Sequence, residues 1–148
     1  MLVSIAKLDS YEPEAVFRAL RQVLEPLGTM AAFIRPDCRA VLKPNFLWSS
    51  ATERAVCTHP EIIRSVARLV RECGPREVVV TDSPGVGTAK RCARRLGLEE
   101  CDDFTVEDAD DGVDAAAKGL PFQKLALSRR MLDADVLINL PKAKTHGQ

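Results

Sequence analysis

The chain has 148 residues, of which 46% are hydrophobic, a length and composition typical of a globular domain with one core. Lysine plus arginine equals aspartate plus glutamate at 21 each, so the formal net charge of +0 gives no general attraction to nucleic acid or to an anionic membrane. No apolar run approaches the roughly 20 residues that cross a bilayer, and the first ten residues lack a secretory signal pattern. We therefore expect a soluble, cytoplasmic protein.

The cysteines are odd in number and scattered, and no two form a Cys-x-x-Cys pair. They are Cys38, Cys57, Cys73, Cys92 and Cys101. This pattern favours reduced thiols and predicts neither a metal site nor an iron–sulfur ligand set in the chain itself.

The first predicted elements alternate between strand and helix. Residues 3–7 alternate apolar and small or polar side chains, which predicts a strand. Apolar residues at helical spacing predict a helix over 15–27 with Gly28 as its C-cap, although Pro26 should disturb the last turn. The run 39–43 predicts a second strand that breaks into a loop at Pro44.

A second helix should begin at Thr58 or His59, because Pro60 suits a first helical turn, and should end at Gly74. The later predicted elements follow in chain order: an inner strand at 77–82, a glycine-rich turn at 83–87, a helix at 88–96, an acidic solvent-exposed stretch at 98–119 with an edge strand near 104–106, a strand at 123–127, a short helix from Ser128 to Leu132, and a strand at 136–140.

This alternation predicts an α/β fold with a mostly parallel sheet, flanking helices and Rossmann-like layering. Since no repeat or flexible linker interrupts the pattern, we expect residues 1–148 to form a single domain. The carboxyl ends of parallel strands meet at one edge of a sheet, where α/β proteins usually bind ligands. Side chains that follow the predicted strands are therefore the candidates for a site.

Lys43 and Asn45 flank Pro44 at the end of a predicted strand and offer a cation and an amide to an anionic or carbonyl ligand. Alternatively, the lysine extends into solvent and the asparagine makes a local turn hydrogen bond.

His59 has two interpretations as well. It can cap the second helix, or it can help to bind an anion at the helix N-terminus.

The turn after the inner strand resembles a phosphate-binding turn in its position, because glycine allows a close approach of the backbone. Its candidate residues are Asp82, Ser83 and Gly85. Neither a Walker sequence nor a Gly-x-Gly-x-x-Gly motif is present, so neither ATP nor a dinucleotide is specifically indicated. Asp82 can instead act as a metal ligand or general base, or can simply form an Asx turn that caps the next helix.

The last strand is followed by Lys142, Lys144 and His146, which an extended backbone would direct to one side. Such a group suits an anion or an enolate-like intermediate, with His146 as acid, base or metal ligand. The alternative is a frayed basic tail without a defined structure.

Four blocks of this sequence, in order and in register, resemble the domain-of-unknown-function family three-six-two. They are Val41-Leu-Lys-Pro-Asn45, Ala55-Val-Cys-Thr-His-Pro-Glu61, Thr81-Asp-Ser-Pro-Gly85 and Ile138-Asn-Leu-Pro-Lys-Ala-Lys-Thr-His-Gly147. The resemblance extends from Val3 to Gly147. It implies that the chain is the N-terminal portion of a longer domain, and that relatives often carry a ferredoxin-like iron–sulfur segment.

The resulting expectation is a domain that binds a small anionic or phosphate-bearing ligand at the ends of its strands. Asp82, Lys142 and His146 are the candidate catalytic residues; Lys43, Asn45, His59, Ser83, Gly85 and Lys144 are the candidate ligand-binding residues. The reaction and the cofactor stay open. Two alternatives are a module of an iron–sulfur electron-transfer protein, with a cluster-bearing partner, and an inactive fragment that lacks its C-terminal segment.

Overall fold

A computed structural model of the chain describes residues 2–99, 101–116 and 124–145. Its α-helices are α1 (Pro13–Leu24), α2 (Pro60–Arg71), α3 (Ala89–Arg95) and the single-turn α4 (Arg129–Leu132). Its strands are β1 (Arg39–Pro44), β2 (Glu77–Val80), β3 (Thr105–Val106), β4 (Gly112–Ala116), β5 (Lys124–Ser128) and β6 (Val136–Leu140). Short 3-10 turns cover Glu25–Leu27, Met30–Ala32 and Thr52–Arg54.

Within the described residues, the main sheet has the strand order β3-β2-β1-β6, and every neighbouring pair in it is parallel. Val41 of β1 lies opposite Val79 of β2 on one side and opposite Leu137 of β6 on the other. This arrangement confirms the predicted α/β fold with a parallel sheet and flanking helices. It also brings the carboxyl ends of β1, β2 and β6 to one edge.

The core lies between one face of this sheet and the helices. Ala40 and Leu42 of β1 and Val78 and Val80 of β2 point to this face, because side chains alternate along a strand. They pack in one buried cluster with apolar residues of all three longer helices. Burial of this apolar surface is the main term that stabilises the fold.

The helix boundaries follow the local sequence signals. Pro60 occupies the first turn of α2, where its missing N–H costs nothing, and the predicted cap at His59 is confirmed. In the first helix the α-helical hydrogen bonding stops at Leu24, and a 3-10 turn that contains Pro26 leads to Gly28. Gly28 has a φ of 95°, a left-handed conformation that glycine adopts without strain.

Two expectations about strands were wrong. Residues 3–7 lie in a described segment with no strand, because alternation alone does not supply a hydrogen-bonding partner. The acidic stretch does contain the predicted edge strand at β3, but it also contains β4, which the sequence did not predict and which pairs antiparallel with β5, the strand predicted at 123–127. In the described parts of the chain, no helix is both long enough and apolar enough to span a membrane.

Candidate functional site

The candidate residues lie at the carboxyl ends of β1, β2 and β6 or in the segments that follow these strands. Lys43 lies within β1, opposite Asn139 of β6. Asp82 follows β2 by two residues, and Lys142 follows β6 by two residues. The parallel sheet therefore gathers these side chains at one edge, but the strand order decides which of them are neighbours.

Lys43 and Asp82 form an ion pair between the ends of β1 and β2. The distance from Lys43 Nζ to Asp82 Oδ1 is 2.8 Å, and the second carboxylate oxygen, Oδ2, accepts a hydrogen bond of 2.7 Å from the Phe46 backbone N–H. The Asp82 side chain is only 8% exposed, and both of its oxygens are engaged. In this arrangement Asp82 ties two strands and the following loop together.

Asn45 and Thr58 close the long loop between β1 and α2. The Asn45 backbone N–H donates to Thr58 Oγ1 over 2.9 Å, and the Asn45 side-chain amide donates to the Val56 carbonyl over 3.0 Å. The Thr58 hydroxyl in turn donates to the Leu140 carbonyl at the end of β6, over 2.7 Å. Asn45 is thus used in holding the loop, and Thr58, which the sequence indicated only as a cap, links that loop to β6.

His59 lies beside this loop, at the entrance of α2. Its Nδ1 accepts a hydrogen bond from the Glu61 backbone N–H, and its ring stacks on Tyr11 with 3.6 Å between the ring centroids. Partial burial lowers the pKa of His59 below its ordinary value of 6.5, and the nearby charges of Lys142 and Arg64 act in the same direction, against Glu61. A neutral imidazole that accepts at Nδ1 carries its proton on Nε2, where it can donate to a ligand.

A cavity of about 350 Å³ opens between the 52–59 loop and the segment after β6. It is lined by Tyr11, Thr52, Glu53, Ala55, Cys57, His59 and Lys142. Lys144 lies close by and donates from Nζ to the Val56 carbonyl over 3.0 Å. The two described lysines of the predicted basic group therefore both approach the 52–59 loop, whereas His146 lies outside the described residues.

The part of the sheet edge near β2 and β3 is lined by acidic side chains. A smaller cavity of about 110 Å³ is lined by residues that include Asp82, Ser83 and two further carboxylates, Asp108 and Asp110. The Lys90 backbone N–H at the start of α3 donates to Asp108 Oδ1, so that donor is occupied. Acidic side chains and engaged N–H groups make this turn less suitable for an anion than the cavity beside His59.

Ser83 and Gly85 both lie on that acidic side. Ser83 is exposed, and the Gly85 backbone N–H donates to the Leu47 carbonyl over 3.1 Å. The structure thus brings His59 and Lys142 together, pairs Lys43 with Asp82, and separates Ser83 and Gly85 from the cationic cavity. Their role in ligand binding stays a prediction, as does catalysis by Asp82.

Three residues that line the cavity were not among the candidate site residues that the sequence indicated: Tyr11, Glu53 and Cys57. Only the fold of the loops reveals that they meet. All five cysteines are free, and burial raises the pKa of Cys92 to about 11. Among the described residues, no three histidine, cysteine or acidic side chains form a group that could hold a metal ion.

Depressions of comparable size occur elsewhere. One of about 340 Å³ lies at the amino ends of the strands, between Arg35, Arg76 and Asp135. Since ligands of open α/β sheets bind at the carboxyl ends of the strands, the cavity beside His59 is the better candidate.

Comparison of the sequence with known proteins identifies its family. The chain is 39% identical over 149 residues to "Thylakoid-associated protein sll1697" of Synechocystis sp. (strain ATCC 27184 / PCC 6803 / Kazusa), an alignment that covers 99% of this chain and 46% of that protein. The chain therefore spans about half the length of the curated relative that it matches. No solved structure matches the chain. Residues 40–148 match the family described as "Domain of unknown function (DUF362)", and the chain belongs to this family.

Proposed function

We propose that this protein binds a small anionic ligand in the cavity between His59 and Lys142. The observation that carries the proposal is that an ammonium group and an imidazole N–H donor line one cavity at the carboxyl ends of parallel strands. Among the described residues, Lys142 forms no salt bridge, whereas Lys43 is neutralised by Asp82. Lys142 therefore provides positive charge that a ligand can use.

The environment of the two groups favours recognition of an anion. Lys142 is only partly exposed, and a charge interaction at such a site is screened less than one on the open surface. The volume of about 350 Å³ lies at the lower end of the range of roughly 300–1,000 Å³ that is usual for small-molecule sites. A small carboxylate or phosphate fits this cavity better than a dinucleotide.

Binding to two substituted chains tests the proposal. Isothermal titration calorimetry with inorganic phosphate and with butyrate should show binding to the wild-type chain and a loss of about tenfold or more for Lys142→Ala, because one charge-assisted contact is removed. Lys90→Ala, which removes an exposed lysine on α3, is the matched control and should leave the affinity unchanged.

Two results would contradict the proposal: no binding of either anion at millimolar concentration, or equal affinities for wild type and Lys142→Ala.

The relative from Synechocystis is about twice as long as this chain. We therefore propose that residues 1–148 contribute this site as a portion of a longer family domain, whose remaining part can add further groups.

A further inference from the structure

The cavity beside His59 has a negative wall as well as a positive one. Glu53 lies on the 3-10 turn Thr52–Arg54 and lines the same cavity as Lys142. Within the described residues, neither side chain forms a salt bridge with the other or with a third group. Opposite charges therefore face one space without neutralising each other.

The backbone segments that carry Glu53 and Lys142 are connected by defined hydrogen bonds. The loop that carries Glu53 is closed by the Asn45–Val56 and Asn45–Thr58 hydrogen bonds, and the Thr58 hydroxyl joins it to the carbonyl at the end of β6. Lys142 follows β6 by two residues. The fold thus holds the backbone that carries each charged group on its side of the cavity, while the Glu53 side chain itself is exposed.

A purely anionic ligand would be attracted by the Lys142 ammonium group but repelled by the Glu53 carboxylate. A ligand with a cationic amino group at one end and an anionic group at the other would satisfy both. The same cavity is also lined by Ala55 and Cys57, which suit a short aliphatic body. The paired rings of Tyr11 and His59 add a flat wall on which such a body can pack.

We propose that the ligand is dipolar, a small amino acid whose carboxylate contacts Lys142 and the His59 N–H and whose ammonium group contacts Glu53. This inference rests on the proposed anion site and adds the class of ligand. It makes Glu53 a specificity-determining residue.

The experiment compares pairs of probes that differ only in the amino group. The affinities of the wild-type chain for glycine, β-alanine and 4-aminobutyrate are measured by calorimetry beside those for acetate, propionate and butyrate. We expect at least one amino acid to bind about tenfold more tightly than its carboxylate counterpart. Glu53→Gln should abolish this preference and leave carboxylate binding equal or stronger, because a repulsive charge is removed.

Glu72→Gln, which alters an exposed carboxylate at the end of α2, is the matched control and should keep the preference. Binding of carboxylates without any preference for the amino acids would overturn the dipolar ligand and leave the anion site intact. Persistence of the preference in Glu53→Gln would overturn the assignment of Glu53 as the residue that contacts the ammonium group. Absence of binding by all six probes would overturn the dipolar ligand, and absence of phosphate binding as well would overturn both proposals.

Discussion

At the scale of single residues, Asp82 shows how a side chain suited to chemistry can serve the fold. Its carboxylate is nearly buried and bonds both the Lys43 ammonium and the Phe46 N–H. Removing it leaves a buried donor and a lysine without their partner, a change that typically costs several kcal/mol.

We expect Asp82→Ala to lower the free energy of unfolding by about 3 kcal/mol. Asp82→Asn should cost about half as much, because its amide oxygen can still accept from Phe46. Urea denaturation measures both values, and Asp110→Ala, at an exposed carboxylate, is the control. Equal stability of Asp82→Ala and wild type would show that these contacts do not hold the sheet edge.

His59 predicts how stability depends on pH. Since burial lowers its pKa in the folded chain, the unfolded chain binds the proton more readily. The contribution of His59 to stability is therefore fully present above its ordinary pKa of 6.5 and is lost as the pH falls through the lowered folded value. Protonation of Nδ1 would also turn the acceptor of the Glu61 N–H into a donor and remove the cap.

The variant His59→Asn separates these effects, because asparagine caps helices well but does not titrate. We expect the free energy of unfolding to fall less steeply between about pH 7 and pH 5 in His59→Asn than in wild type. Denaturant titrations at several pH values supply the slopes. An unchanged slope would assign the acid sensitivity to other groups.

At the scale of elements, one hydroxyl connects three of them. Thr58 is buried, accepts from Asn45 after β1, donates to Leu140 at the end of β6, and immediately precedes the cap of α2. Thr58→Val keeps the shape of the side chain but removes both hydrogen bonds. We expect a loss of about 2 kcal/mol and faster amide hydrogen exchange in β6, with α2 much less affected.

Thr58→Ser retains the hydroxyl and should keep most of the protection of β6. If Thr58→Val exchanged in β6 at the wild-type rate, the loop and the strand would be held together by other contacts.

The elements that the sequence predicted well are those whose own residues carry the signal. Inner parallel strands are buried on both faces and appear as apolar runs, so 39–43 and 77–82 could be located within about two residues. The last strand, 136–140, lies at the edge of the described sheet and was located by its apolar run alone. Of the β4–β5 hairpin, which has no buried residue and is held by backbone pairing, the sequence predicted the second strand at 123–127 but not β4 or its pairing. Residues 3–7 show the opposite case: their sequence has the pattern of a strand, but no neighbouring strand pairs with them in the described part of the chain.

At the scale of the whole molecule, the candidate site could be predicted only as a group of residues at one edge. Which of them pair depends on the strand order, and that order is not readable from local sequence. Because β2 lies beside β1, Asp82 pairs with Lys43, and because β6 lies on the other side of β1, Lys142 meets His59 instead. The place of Glu53 in the cavity lining depends on the fold of the 52–59 loop, and local sequence does not predict that fold either.

The position of β6 also bears on the order in which the molecule assembles. The Phe46–Asp82 contact joins groups 36 residues apart, whereas the hydrogen bond from the Arg39 N–H to Asp135, just before β6, spans 96 residues. Closing the longer loop costs about 1 kcal/mol more in chain entropy, so we expect β1, α2 and β2 to associate before β6 docks. Of Lys43 and Lys142, we therefore expect Lys142 to reach its folded position later. A ligand that contacts both Lys142 and His59 would stabilise the state in which β6 is docked, because it binds only that state.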